Sequence, residues 1–305
     1  MNRAGPPIMR RENRVELHPA VPGGAVRARF DDGRWHFQHG PIDLIIGADG
    51  DPPAVDRAIE QVWSRFQKVL AELVEELELL RLPVQDARAV TGSVAQRMVQ
   101  ACWPHHDRFI TPMAAVAGAV ADELIGYFRE EERVRRAYIN NGGDIALHLT
   151  PGQSYRVGLY ADLGRIERRE AQRLDGDFEV TNELPVRGVA TSGWRGRSFS
   201  LGIADSVTVL ARSAANADAA ATMVANSVNI EDPAILRQPA CELKDDTDLG
   251  RRLVTVSVGA LSADRVGRAL DAGVAEARRL IGRDEIFASA LRLQGELRSV
   301  DATRV

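Results

Sequence analysis

Apolar positions in the first third of the chain recur at helical spacing over one long stretch. After Asp51-Pro52-Pro53, residues Val55, Ile59, Val62, Phe66, Val69, Leu70, Leu73, Val74 and Leu77 return every three or four positions, as on one face of an amphipathic helix. Ahead of it lie a polar lead and short runs broken by turn signals at Asp31-Asp32-Gly33 and His39-Gly40-Pro41, which predict strands. Residues 42–46 read as one more strand, closed by Gly47 to Gly50. A second helix is expected after Thr111-Pro112, where a capping hydroxyl precedes proline at the first helical position, and runs towards Arg136.

From Ala137 the pattern changes to strands, at 137–139, 145–149, 155–160, 178–181, 188–191 and 207–211. The short glycine-containing links between them favour antiparallel neighbours over crossover connections. A helix over about 216–227, a strand at 253–258 and two closing helices, around 263–281 and 285–297, complete the pattern. The expected fold class is α+β, a largely antiparallel mixed sheet packed with helices. Three segments are expected within one compact unit: 1–50 with the polar lead and first strands, 51–136 helical, and 137–305 as a sheet-rich core with C-terminal helices.

Composition narrows the chemistry. The chain has 305 residues, 45% hydrophobic and 27% charged, enough for a sizeable core. A formal charge of −4 gives no polycationic footprint, so nucleic acid is not expected as a partner. Lys68 and Lys244 are the only lysines, and neither lies near the motifs below, which disfavours lysine-based covalent chemistry. Cys102 and Cys241 are far apart and form no metal or redox motif. The start, Met1-Asn2-Arg3-Ala4-Gly5-Pro6-Pro7, has charge without a following apolar region, and no apolar run approaches the roughly 18 residues of a membrane span. A cytoplasmic protein without a membrane partner is expected.

Three segments carry the candidate chemistry. Asn140-Asn141-Gly142-Gly143-Asp144 pairs a tight turn and bare backbone with a carboxylate at the start of the next strand. A flat or phosphorylated ligand can approach such a turn, although an ordinary hairpin needs the same residues. Thr191-Ser192-Gly193 ends a strand with two hydroxyls, suited either to a ligand's phosphate or carbonyl or to neighbouring backbone. Trp194, Arg195 and Arg197 follow, able to stack on a heterocycle or pair with an anion, or to form a solvated loop. Asp218 and Thr222, four apart on a helix, share a face, and their oxygens suit a hard cation such as Mg²⁺. Asp218 read alone is a first-turn carboxylate favoured by the helix dipole. His105-His106-Asp107 beside Trp103 reads as a polar loop, since adjacent histidines point apart and no third ligand is evident.

The order of these segments, a GGD turn, a TSG turn, then Ser206-Val207-Thr208-Val209 leading into Ala217-Asp218-Ala219-Ala220-Ala221-Thr222, resembles the FAD:protein FMN transferase (ApbE) superfamily. The resemblance covers residues 85 to 285, most specifically 111–122 and 139–222. It implies a flavin site at Asn141, Gly142, Gly143, Asp144, Thr191, Ser192, Gly193 and Gly118, and a Mg²⁺ ion held by Asp218 and Thr222. Two departures stand out. The superfamily's GG-x-x-KG-x-x-x-D segment matches Met113 to Asp122, keeping Gly118 and Asp122 but placing Ala117 where the lysine stands. The H-x-x-D-P segment before SVTV is missing, because Phe199-Ser200-Leu201-Gly202-Ile203-Ala204-Asp205 runs straight into Ser206. Both departures fit a cytoplasmic ApbE-like branch with TPMAAVAGA-type and SLGxADSVTV-type segments.

Three functions follow from the resemblance. The first is an ApbE-like enzyme acting on or with a flavin-like flat N-heterocycle, a pterin or pyridine derivative, by reduction or ring hydrolysis, with Asp218 and Asp144 as the catalytic candidates. The second is a Mg²⁺-dependent transferase moving FMN from FAD to a protein acceptor. The third is a flavin carrier without turnover. Assembly as a homo-oligomer stays open.

Overall fold

The computed structural model describes residues 16–17, 24–87, 89–159 and 176–302. The polar lead at 1–7 and the last position of the strand expected at 155–160 lie outside the described residues.

Strands β1 (Glu16–Leu17), β2 (Val26–Arg29), β3 (Trp35–His39) and β4 (Ile42–Gly50) lead into helix α1 (Pro52–Glu75). Helices α2 (Ser93–Cys102) and α3 (Val116–Glu130) precede β5 (Val134–Asn141), β6 (Asp144–Leu149), β7 (Ser154–Leu159), β8 (Gly176–Thr181), β9 (Gly188–Ser192) and β10 (Ser206–Ala211). Helix α4 (Ala214–Ser227), strands β11 (Ile235–Pro239) and β12 (Leu253–Val258), helix α5 (Ala263–Gly282) and strands β13 (Ala288–Leu293) and β14 (Glu296–Asp301) finish the chain.

Ten strands form one sheet in the order β1-β2-β3-β4-β5-β6-β9-β10-β13-β14, every neighbouring pair antiparallel, while β7–β8 and β11–β12 form separate two-stranded ribbons. The α+β architecture expected from the pattern is the observed one. Alternation along β5 shows how the sheet divides its faces: Ala137 and Ile139 join the core beneath α1 and α3, while Tyr138 turns to the other side and meets Tyr155 edge-on at 5.5 Å. The β7–β8 ribbon covers that second face, with Val157 and Val180 packed near Leu147, Val189 and Leu210. Strand β10 is buried along its whole length, which is why Ser206 to Ala211 reads as a nearly continuous apolar run.

Helix α4 is the seam of the helical layer. Its Ala214, Ala215, Ala219 and Met223 belong to the core with α1 and α3, and its Ala217, Ala220, Ala221, Val224 and Ala225 to the core with β10, β13 and α5. Burial on all sides explains the run of alanines, whose small side chains let backbones approach. At Gly118 a Cβ would stand 2.3 Å from the Ala214 carbonyl oxygen, and at Gly188 only 2.0 Å from Ser213 backbone.

The helix expected at 285–297 is a hairpin, β13 and β14. Ser289, Leu291 and Leu293 are buried while Ala288, Ala290 and Arg292 are half-buried, a period of two. The free edge of β10 pairs with β13, and Gln294 (φ 46°) with Gly295 (φ 88°) makes the tight turn. Helix-forming side chains yield here to sheet pairing and burial. The helix after Thr111 begins with a 3-10 turn, Pro112–Ala115, and is regular from Val116 to Glu130. Strand β4 runs past residue 46 to Gly50 because Gly47 passes under the Tyr138 ring, where a Cβ would stand 2.4 Å from it.

Candidate functional site

At the β5–β6 connection the backbone reverses over two glycines, Gly142 (φ 65°) and Gly143 (φ 117°), and the Gly143 amide donates to Asn140 Oδ1 at 2.8 Å. A Cβ at Gly143 would meet nothing, so one face of the turn is open backbone. Asp144 begins β6, which pairs with β9 at Ile145–Val189 and Ala146–Gly188. Past that register the Asp144 carboxylate bridges to β9, accepting from the Thr191 amide at 3.2 Å. The Thr191 hydroxyl is in turn 2.9 Å from that of Thr208 on β10.

The other wall comes from α3 and α4, which cap one another. Asp122 on α3 accepts from the amides of Ala214 and Ala215, the first residues of α4, at 3.0 and 2.8 Å. Asp218 on α4 accepts from the Gly118 amide at 3.0 Å, with the Ala117 amide as a second donor. Each carboxylate therefore meets free amides at the positive end of the partner helix. Asn141 ties this wall to the glycine turn by donating from Nδ2 to the Ala117 carbonyl at 3.1 Å.

Asp144 and Asp218 thus face one another across the junction and keep partial solvent access. Desolvation pushes Asp144 up to about 7, against the opposing bond from Thr191. Desolvation followed by repulsion from Asp144 pushes Asp218 well above the ordinary carboxylate range, in spite of its helix-terminal bonds. Such a pair titrates as a unit and holds a proton at neutral pH. Thr222, one turn beyond Asp218, is half-buried. Two carboxylates and a hydroxyl match the oxygen preference of Mg²⁺, which fills remaining positions with water. Among the described residues no group of three His, Cys, Asp or Glu side chains forms a ready-made cation site.

The fold gathers Asn141, Gly142, Gly143, Asp144, Thr191, Asp218 and Gly118 at one junction, with Ser192 half-buried at the end of β9. Packing accounts for two of the glycines: Gly118 lies against α4, and a Cβ at Gly193 would stand 2.5 Å from the Asp205 carbonyl oxygen. Trp194 and Arg195 are engaged with Asp205, by a 3.3 Å hydrogen bond and a 3.4 Å ion pair. Arg197 instead reaches the turn, its Nη1 lying 3.4 Å from where a Gly142 Cβ would stand. The two histidines part: His105 is buried, and His106 stacks on Trp103 at 4.8 Å. Sequence reasoning passed over two features, the capping role of Asp122 and the approach of Cys102 to Asp218. The Cys102 thiol is buried, donates towards the Thr111 carbonyl at 3.4 Å and is pushed well up by burial and then by Asp218, which keeps it in the thiol form. No helix among the described residues is long and apolar enough to cross a membrane.

A UPF0280 protein of Methanosarcina acetivorans is 32% identical over 204 residues, which covers 66% of this chain and 74% of that protein. A UPF0280 protein of Methanospirillum hungatei is 36% identical over 144 residues, 47% of this chain and 54% of its own. The chain thus spans about half the length of several curated relatives it matches. The solved Flavin Transferase ApbE from Vibrio cholerae is 12% identical and covers 96% of this chain and 97% of that one, at a TM-score of 0.34, too loose a superposition to carry an argument. A family model described as "AbpE bacteria" matches residues 27–299, and the chain belongs to that family.

Proposed function

We propose that the crevice between the Asn141–Asp144 turn, the end of β9 and the start of α3 is the active site of an ApbE-like enzyme. Its ligand is a flavin-like flat N-heterocycle of the pterin or pyridine type. The observation that carries this reading is the Asp144–Asp218 pair, raised towards neutrality beside a turn of bare glycine backbone. A carboxyl pair that holds a proton near pH 7 can give it to a ring nitrogen or carbonyl and take one from water, as ring hydrolysis requires, and can protonate a ring that receives a hydride from a bound reduced flavin, as ring reduction requires. Gly142 and Gly143 let a flat ring lie against the turn, Thr191 and Ser192 supply hydroxyls at its edge, and Gly118 and Gly193 keep the walls close. Arg197 sits where an anionic substituent would emerge. The site is read as cytoplasmic, with neither nucleic acid nor membrane as partner.

A second reading is favoured by one observation, the shared face of Asp218 and Thr222 opposite Asp144. With Mg²⁺ on those oxygens, the metal would polarise a dinucleotide's diphosphate, and the chain would transfer FMN from FAD to a hydroxyl of a protein acceptor. Ala117 offers no cation to a diphosphate, so this reading ranks below the first.

Absorption spectra of the purified chain, with mass spectrometry of acid-released material, before and after incubation with FAD and Mg²⁺, separate the readings. AMP release supports the transferase. A spectral change with a pterin or pyridine compound, lost in Asp144→Asn, supports the first reading. Bound flavin without turnover makes the chain a carrier. Silence towards flavins, pterins and pyridines alike overturns all three.

A further inference from the structure

A second polar cavity lies on the far side of Asp122. It encloses about 120 Å³ and is lined by Arg97, Gln100, Asp122, Arg129, Ser213, Ala215 and Asn216. Two arginines on different helices converge there with few partners. Arg97 gives its Nε to Glu123 at 3.0 Å, and Arg129 reaches only the Leu147 carbonyl, at 3.4 Å. Asp122, the one carboxylate in the lining, has both oxygens committed to the amides of Ala214 and Ala215. Among the described residues it forms no ion pair with either arginine. The α4 amides are therefore already occupied, and the surplus donors are side chains. The Gln100 amide makes no hydrogen bond among the described residues, and Asn216 uses its oxygen to accept from Ser213 at 2.9 Å, which leaves its NH₂ available.

Two arginines line the cavity against one carboxylate, Asp122, whose oxygens are turned to the α4 amides. Arg129 is pushed below its ordinary value by desolvation, with Asp122 opposing and Arg97 adding to the effect, and Arg187 is lowered by desolvation and then by Arg129. Converging guanidinium groups with amide donors between them are the donor set that recognises an oxyanion, since each fork presents two N–H groups to two oxygens. The volume is enough for a phosphate-sized group.

We propose that this cavity is a binding site for a small tetrahedral oxyanion, either free phosphate or the phosphoryl end of a larger molecule, held by Arg97, Arg129, Gln100 and Asn216. The site is separate from the Asp144–Asp218 crevice and does not rest on the function assigned to it. Asp122 stands between them, with its carboxylate in the cavity lining and its charge felt by Asp218.

The test titrates the full chain with inorganic phosphate, and separately with AMP, against chloride at equal ionic strength, reading the thermal midpoint and calorimetric binding. Phosphate is expected to raise the midpoint where chloride does not, and Arg129→Gln to weaken binding about tenfold or more, as loss of a charged hydrogen-bond donor does. Gln100→Glu, an exposed change that places a carboxylate at the mouth and disturbs no existing bond, is expected to abolish binding in a normally folded protein. Tighter binding of AMP than of phosphate, with the same sensitivity to both variants, would identify a nucleotide's phosphoryl group as the source. Phosphate acting no better than chloride, or binding unchanged in Gln100→Glu, would overturn the proposal.

Discussion

Asp144 is the residue at which stability and the proposed chemistry conflict. Its carboxyl is raised to about 7 by desolvation, so between the ordinary carboxylate value near 4 and about 7 the folded chain holds a proton that the unfolded chain has released. By linkage, native stability falls as pH rises through that window, and the loss is complete above about 7. Asp144→Asn keeps an oxygen to accept from Thr191 and removes the charge, which also relieves Asp218. The variant is expected to melt a few degrees above the parent at pH 8, to match it near pH 4, and to lose turnover of the heterocycle. Melting curves across that range check the first two outcomes. A variant less stable than the parent at pH 8 would mean that the carboxylate is already stabilised by a contact stronger than the Thr191 bond. The conflict is the one expected of a residue retained for function against its effect on folding.

At the scale of elements, the crossing of α3 and α4 leaves no room for a side chain at Gly118. Gly118→Ala would drive a Cβ to 2.3 Å from the Ala214 carbonyl oxygen, a backbone atom that cannot rotate away. It would part the helices and stretch the bonds from Asp122 and Asp218 together. A loss of about 2–4 kcal/mol is expected from overpacking plus weakened caps, readable by urea unfolding, and larger than for Gly126→Ala on the same helix, where a Cβ meets open space. Much of this architecture was legible in the chain. The periodicity of α1, the proline-led helix entry after Thr111, the glycine turn at 142–143 and the strands at 137–139 and 145–149 are local signals, and they fell where the structure has them, although the Thr111 hydroxyl bonds to Asp248 and does not cap the helix. The reciprocal caps were not legible, because Asp122 and Asp218 act on amides 92 to 100 positions away, and nothing near either residue announces its partner. The β13–β14 hairpin was hidden for a related reason: its alanines, leucines and arginine favour helix, and only the free edge of β10 makes them strand.

Over the whole molecule, two buried groups pull the pH dependence in opposite directions. His105 lies in the turn that joins α2 to the loop before α3, 2% exposed, and its Nδ1 has no partner among the described residues. Burial lowers it to about 4, against Glu276 and Asp107, which raise it, and with Arg279 and Arg108, which lower it further. Between about 6.5 and 4 the unfolded chain takes up a proton that the folded chain refuses, so His105 makes stability fall as pH drops through that range. Asp144 over much of the same range makes stability fall as pH rises. The two occupy different elements and share no hydrogen-bond partner, so their effects should nearly add. Asp218, raised further still by burial, acts in the same sense as Asp144, so the parent's stability is expected to fall as pH rises from about 4 to 6.5, with His105 offsetting part of the slope. Asp144→Asn should remove one carboxyl's share of the fall, a difference from the parent of up to about 3 kcal/mol across the window. His105→Gln should steepen the fall by a similar amount, and the double variant should return to the parent's slope. Denaturant unfolding of the four proteins at half-unit steps tests the cancellation directly. A parent profile as steep as that of either single variant would show that one of the two groups is not buried in the ionisation state assigned to it.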